Sequence, residues 1–196
     1  MTTEDPDAPD RRLPDETDET DETDETDETD ETVALLRRSL DSVRSGDLLQ
    51  WEPLSIRARR SHLATVLGHS VTGTLAPLFA QPAERVDLPE GPHVPGGIAV
   101  WLQHEEVVLL DVRDPVLVSD PATALGPPED EMASGLGSWY VQWLYPSRGL
   151  VLHVTDDGKR VKRLLGLESL SLEAMHKAPV VTLSERRVRL HPRPED

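Results

Sequence analysis

The spacing of apolar residues predicts that the hydrophobic part of the chain opens with an amphipathic helix. Four apolar residues, separated by three, four and three positions, share one helical face: Val33, Leu36, Leu40 and Val43. Thr32 is suited to cap the N-terminus of this helix, and Gly46 is suited to end it in a left-handed conformation. We therefore expect the helix to begin at the Thr32 cap.

A second helix is expected from Ser55 to Gly68. Its apolar stripe has four members: Ile56, Leu63, Val66 and Leu67. After Gly68 the segment 69–97 is rich in proline and glycine. Within that segment, stretches such as 71–74 and 85–88 could form short strands.

Two apolar runs, 98–103 and 107–112, flank the polar residues 104–106 and predict a β-hairpin that turns there. Pro115 ends its second strand, because proline has no N–H to donate to a sheet. Asp120 followed by Pro121 then predicts the start of a short helix. The elements expected after it are strands at 139–145, 150–154 and 160–167, a helix at 170–177, an extended stretch at 180–190 and a frayed end at 191–196.

This order of elements predicts an α+β fold in which N-terminal helices pack on an antiparallel meander sheet. The sequence Ala-Thr-x-Leu-Gly occurs at residues 64–68 and again at 122–126, each time ahead of a hairpin that a glycine precedes. The hydrophobic part, 33–190, is therefore either one domain or two tandem small α+β modules, with repeat halves at 54–115 and 116–178.

One arrangement within residues 54–167 resembles a known small α+β module. It consists of a helix ending in Leu-Gly, a proline-rich loop, a Trp/Tyr strand, and a strand–turn–strand containing Asp-Gly. It is similar to the accessory lipoproteins of the outer-membrane barrel-assembly machine, and to the β-lactamase-inhibitor proteins, which contain two such modules in tandem. The resemblance implies a non-catalytic module that presents a sheet and loops to another protein.

Acidic residues are concentrated at the N-terminus. Residues 1–32 carry a net charge of −14 out of −17 for the chain, and residues 15–32 are six copies of Asp-Glu-Thr. A period of three produces no apolar face, and the carboxylates repel one another, so we expect 1–32 to be a disordered, solvated tail. The tail either serves as a solubilising spacer or binds a basic partner. Residues 33–196 carry only −3, which argues against a nucleic-acid-binding face.

Several kinds of chemistry find no support in the sequence. Cysteine is absent, and none of the seven histidines stands four positions from another, so we expect no metal and no cofactor. There is no apolar stretch of the roughly 20 residues that a bilayer requires, and no secretion signal. The sequence therefore predicts a cytoplasmic protein without a membrane partner.

Carboxylates around the first hairpin are the nearest candidate for acid–base chemistry: Glu105, Glu106, Asp111 and Asp114. Asp111 and Asp114 flank Arg113, and a hydrolase could use two carboxylates whose pKa values differ. At a strand end, however, such acids are usually exposed and held by turn hydrogen bonds and a local ion pair. The sequence therefore favours a non-catalytic protein.

Aromatic residues give the candidate binding site. Four of the seven aromatic residues fall within seven positions, and Arg148 lies in the turn that follows: Trp139, Tyr140, Trp143 and Tyr145. Alternation in a strand would place Trp139, Trp143 and Tyr145 on one face. They form either a core strand or a surface that binds another protein, since Trp and Tyr dominate interaction hot spots. The leading hypothesis is a protein-interaction module, with a hydrolase and an acidic-tail binder as alternatives.

Overall fold

In the computed structural model of the chain, residues 22–181 are described. The helices are α1 (Glu22–Ser45), α2 (Arg60–Leu67), α3 (Pro121–Leu125) and α4 (Leu172–Lys177), with 3-10 turns at Leu48–Gln50 and Pro146–Arg148. The strands are β1 (Thr74–Leu78), β2 (Gln81–Leu88), β3 (Ile98–Gln103), β4 (Glu106–Arg113), β5 (Asp130–Ala133), β6 (Tyr140–Tyr145), β7 (Leu150–Thr155) and β8 (Val161–Gly166).

All eight strands form one antiparallel sheet in the order β1-β2-β3-β4-β8-β7-β6-β5. Each half of the sheet is a meander of consecutive strands, and the last strands of the two meanders pair at the centre, where Asp111 lies opposite Leu165. Residues 54–115 contain α2 and β1–β4, whereas 116–178 contain α3, β5–β8 and α4. Each half thus places a helix before a four-stranded meander, and a duplication of one module stays a prediction.

Both faces of the sheet are covered. On the first face, α1 and α2 bury side chains such as Leu40 and Leu63 against the sheet. On the second face, Met175 of α4 and the following Val181 pack with sheet residues such as Val151. The predicted α+β class, with N-terminal helices on an antiparallel meander, is confirmed. No helix between residues 22 and 181 combines the length and the apolar character that crossing a membrane requires.

The first helix begins inside the acidic repeat, so the prediction that it starts at Thr32 is wrong. α1 starts at Glu22, and Thr32 is buried at 4% exposure. Acidic side chains favour the N-terminal turns of a helix, and Glu28 forms an ion pair with Arg57. These contacts stabilise a helix that the repeat alone would not form. Residues 1–21 of the predicted disordered tail lie outside the described residues.

The second helix is shorter than expected, because the residues before it pair with the first hairpin. Ala58 accepts a hydrogen bond from the amide of Val107 at 2.8 Å, and the amide of Arg60 donates to the carbonyl of Glu105 at 2.8 Å. Where a helix from Ser55 was predicted, the chain therefore makes a turn at 56–57 and then a β-bridge at Arg59, and Ile56 is exposed. The predicted end at Gly68, with φ of 74°, is confirmed.

Three other elements differ from the expectation. The strand predicted at 71–74 lies instead at Thr74–Leu78, and β5 was not predicted. Val180 and Val181 are helical rather than extended. The remainder of the predicted extended stretch, 182–190, and the predicted frayed end, 191–196, lie outside the described residues.

Candidate functional site

β6 carries most of the predicted aromatic residues, and it presents them in two directions. Trp143 is half-buried against the first core, and Tyr145, at 2% exposure, belongs to that core. Gln142 and Leu144 point to the second face and are fully buried. Trp139 lies just before the strand and is 76% exposed. The core-strand hypothesis therefore describes Tyr145, and the surface hypothesis describes Trp139.

Tyr145 and Arg148 lie far from the exposed tryptophan. The hydroxyl of Tyr145 donates to the carbonyl of Gly126 at 3.0 Å, and burial raises the pKa of Tyr145 to about 12. The carbonyl of Arg148 accepts the indole N–H of Trp51 at 2.8 Å. β6 spans roughly 17 Å at the usual rise per residue. The structure thus does not bring the five predicted site residues together: Trp139, Tyr140 and Trp143 lie toward one end, and Tyr145 and Arg148 lie at the other.

The loop between β5 and β6 presents two exposed apolar side chains, Leu136 (41%) and Trp139 (76%). Backbone hydrogen bonds hold this loop at both ends. The amide of Ser134, where the loop starts, donates to the carbonyl of Tyr140, where it ends, at 3.3 Å, and the amide of Asp156 in the neighbouring turn donates to the carbonyl of Trp139 at 3.1 Å. The indole of Trp139 is therefore displayed from a fixed backbone.

A buried pair of polar side chains, Ser134 and His153, holds the start of the same loop against the sheet. Ser134, at 1% exposure, accepts the amide of Leu136 on its Oγ at 3.1 Å. The same Oγ lies 2.7 Å from Nδ1 of His153, which is fully buried in β7. This pair ties the start of the loop to the middle of the sheet, so its geometry depends on a side chain two strands away.

The Ser134–His153 pair belongs to a polar row that crosses the otherwise apolar second face. In the register, Gln142 lies opposite His153, and His153 lies opposite Arg163. Arg163 then contacts both carboxylate oxygens of Asp111, at 2.7 and 2.8 Å. Among residues 22–181, the amide group of Gln142 and Nε2 of His153 are buried and find no hydrogen-bond partner. Burying polar groups without partners costs free energy, so the stability of the core depends strongly on this row.

His153 should make the stability of the fold depend on pH. Burial, aided by the positive charge of Arg163 and opposed by Asp111, lowers the pKa of His153 from 6.5 to about 4. Between those two values the unfolded chain binds a proton that the folded chain does not bind. The free energy of unfolding should therefore fall as the pH falls from 6.5 to about 4, as chemical denaturation across that range would show.

Two variants isolate this effect. In His153→Asn, stability should fall less steeply over the same range, whereas the exposed His104→Asn should behave like the unchanged protein. Equal slopes in His153→Asn and in the unchanged protein would show that His153 is not buried in its neutral form.

The carboxylates considered for acid–base chemistry do not meet in one site. Asp111 is only 1% exposed, and both of its oxygens are bound by Arg163, so the expectation that it is exposed with a local ion pair is wrong. Asp114 pairs with Lys162 at the surface. The Ser134–His153 pair resembles a nucleophile and its base, but both side chains are sealed from solvent. Among residues 22–181, no cluster of histidine and acidic side chains suits a metal ion.

A groove of about 500 Å³ lies beside the exposed loop, and we call it the Trp143 groove. Trp143 and Val141 line it together with Ala122 and Gly158, and four carboxylates complete the lining: Asp120, Glu131, Asp156 and Asp157. No basic side chain is among these residues.

Two of the four carboxylates of the Trp143 groove are held in place by local hydrogen bonds. Asp120 caps α3 by accepting the amides of Ala122 and Thr123, and Asp157 accepts the hydroxyl of Thr155. The hydrogen bond from Thr155 lowers the pKa of Asp157. Glu131 and Asp156 are exposed and form no ion pair within the described part of the chain. The groove is thus negatively charged and aromatic, which suits a cationic group.

The polar row and the groove were missed by the reasoning from sequence. Gln142 and His153 are polar residues that interrupt apolar strands. That interruption was the one sign in the sequence that a polar row crosses the sheet. Asp120, Glu131 and Asp156 come from three separate segments, so no motif joins them.

Comparison with protein-family models, with curated protein sequences and with solved structures gave no match.

Proposed function

We propose that the chain is a cytoplasmic, non-catalytic protein-interaction module whose contact surface is formed by Trp139 and Trp143. The observation that carries the proposal is the 76% exposure of the Trp139 side chain on a loop that is hydrogen-bonded at both ends. Covering a large apolar side chain with a partner is favourable, because it removes apolar surface from water. A fixed loop also loses little conformational freedom on binding.

The surroundings of Trp139 support the same proposal. Leu136 extends the apolar surface on the same loop, and the Trp143 groove lies next to it. Interfaces commonly combine such an aromatic anchor with polar groups at the rim. The resemblance to small modules that present a sheet and loops to another protein leads to the same class of function.

The hydrolase alternative has less support. A catalytic carboxylate must reach a substrate, and the carboxylate of Asp111 is covered and bound by Arg163. Asp114 has a lysine partner and lies on a different element from the buried histidine. The acidic-tail alternative concerns residues 1–32, of which 1–21 lie outside the described residues and 22–32 belong to α1. Unchanged partner binding at low salt after deletion of residues 1–21 would count against it.

Replacing Trp139 by alanine should weaken partner binding at least tenfold, because hot-spot tryptophans commonly contribute 2 kcal/mol or more, as a rough figure. The measurement is affinity capture with the full chain, followed by titration of the captured protein. Since the side chain is mostly in water, the midpoint of thermal unfolding should hardly change.

Leu75→Ala is the matched control, because Leu75 is 79% exposed but lies in β1 at the opposite edge of the sheet. A partner that binds the unchanged protein and Leu75→Ala, but not Trp139→Ala, would support the proposed surface. A partner that binds all three proteins equally would refute it.

A further inference from the structure

We propose that the partner binds as an extended segment that pairs with the edge strand β5 and places a basic side chain in the Trp143 groove. This inference rests on the proposed function, because it names the kind of partner that the Trp139 surface takes. Four features of the described residues carry it: the open edge, the charge of that edge, the position of the groove and the chemistry of its lining.

The two edges of the sheet differ in their capacity to accept another strand. β1, at one edge, contains Pro77, which has no N–H to offer. β5, at the other edge, has no proline, and its residues are exposed or half-exposed. The outward backbone groups of β5 have no strand partner among residues 22–181. An extended chain can add to β5 by main-chain hydrogen bonds.

Charge indicates which chain would add there. β5 begins Asp130-Glu131, and the preceding residue is Glu129. If two copies paired antiparallel along the whole of β5, Asp130 and Glu131 would lie opposite Ala133 and Met132 of the other copy. The carboxylates of both copies would still share one short edge, well within a Debye length, where like charges repel one another. A basic segment would instead bring opposite charges together. The acidic edge thus disfavours a second copy and favours a basic partner.

The groove lies where the side chains of an added strand would reach. Glu131 of β5 pairs with Trp143 of β6, so the two residues share a face of the sheet. Neighbouring strands lie about 4.8 Å apart, which puts an added strand about 10 Å from Trp143. An arginine or lysine side chain on the same face can cross Glu131 and lie over the indole. The volume of about 500 Å³ accommodates such a side chain.

The lining of the groove has the chemistry that recognises a cation. Tryptophan is the aromatic side chain that attracts cations most strongly. Glu131 and Asp156 are free to pair with the charge, and a guanidinium can bind a carboxylate through two hydrogen bonds. Arginine satisfies both contacts at once, because its planar group stacks on an aromatic ring while its edge donates hydrogen bonds.

The test uses the full chain and a fluorescently labelled peptide of eight residues that alternates arginine and valine. Binding is measured by fluorescence anisotropy at 0.15 M salt. We expect saturable binding, a loss of at least tenfold in Asp156→Lys, and less than a twofold change in Glu90→Lys. Glu90 is exposed and lies between β2 and β3, away from the groove. The acidic N-terminus is present in every variant, so this comparison isolates the groove.

Two further peptides separate the parts of the inference. A peptide methylated at the backbone nitrogens that would face β5 should lose at least tenfold in affinity, and a peptide of alternating glutamate and valine should not bind. Equal weakening in Asp156→Lys and Glu90→Lys, no binding of the basic peptide, or equal binding of the methylated peptide would each overturn the inference. Protein that self-associates through β5 on gel filtration, and dissociates in Glu131→Lys, would also overturn it.

The results also distinguish this inference from the proposed function. If Trp139→Ala loses the captured partner while Asp156→Lys keeps it, the proposed interaction surface is supported. The inference that the partner binds through a basic extended segment is then wrong. If Trp139→Ala keeps the partner, the proposed function itself fails.

Discussion

Replacing Arg163 by leucine should lower the free energy of unfolding by about 3 kcal/mol, toward the lower end of the usual cost of leaving a buried charge without its partner, because Asp111 is buried whereas Arg163 is 34% exposed. Asp111 is only 1% exposed, and Arg163 binds both of its oxygens, at 2.7 and 2.8 Å. Without the guanidinium, the carboxylate is buried as an unpaired charge or must take up a proton. Urea denaturation at pH 7 measures the loss.

Two comparisons make this result specific. The double variant Asp111→Leu with Arg163→Leu should recover most of the stability, since an apolar pair leaves no buried charge. Lys162→Leu breaks the Lys162–Asp114 pair, whose side chains are 46% and 47% exposed, and should cost at most about 1 kcal/mol. If Arg163→Leu costs no more than Lys162→Leu, the Asp111 carboxylate has access to water or another donor.

The partner of Asp111 shows where reasoning from the sequence reaches its limit. Local spacing pointed to Arg113, two residues away, whereas the structure supplies Arg163, which is 52 residues away. The contact exists because β4 and β8 pair at the centre of the sheet. Periodicity predicts that both segments are strands, but it carries no information on which strands of separate meanders become neighbours.

The elements that were predicted well have strong local signals. The hairpin of β3 and β4 was predicted within one or two residues, and so were β6, β7 and β8, because apolar runs are bounded there by turn residues. Asp120 and Pro121 gave the start of α3 for the same kind of reason. These segments determine most of the sheet.

The elements that were missed depend on tertiary contacts. β5 has the sequence Asp-Glu-Met-Ala, which has no strand propensity of its own, and pairing with β6 makes it a strand. α1 likewise extends into the acidic repeat, where Glu28 contacts Arg57, a residue outside that helix. Both segments contain acidic residues, which the sequence alone assigns to solvated loops.

The candidate site was predicted in part. The cluster of aromatic residues drew attention to the right strand, and alternation correctly separated Tyr140 from Trp143. Alternation could not tell that Tyr145 would be buried, since that depends on α3 and on the carbonyl of Gly126. The groove beside Trp143 requires three segments that meet only in the folded chain.

Replacing Gly149 by alanine should destabilise the fold by about 3 kcal/mol. Gly149 follows the turn Pro146–Arg148 and has φ of 56°, which costs an ordinary residue roughly 1–2 kcal/mol. A Cβ there would also lie far inside van der Waals distance of the carbonyl oxygen of Leu167, and relief of such crowding adds about 1–3 kcal/mol. Because the amide of Leu167 donates to the carbonyl of Gly149 at 2.8 Å, the two segments cannot separate without losing that bond.

Gly68→Ala provides the matched comparison, since Gly68 ends α2 with φ of 74° and a Cβ there would meet nothing within 4 Å. That variant should lose only the conformational part, about 1 kcal/mol. The difference between the two variants in urea denaturation therefore measures the crowding against Leu167. Equal losses in both variants would mean that the turn before β7 can move away from Leu167 without a loss of stability. The close approach of Gly149 to Leu167 would then not contribute to the stability of the second meander.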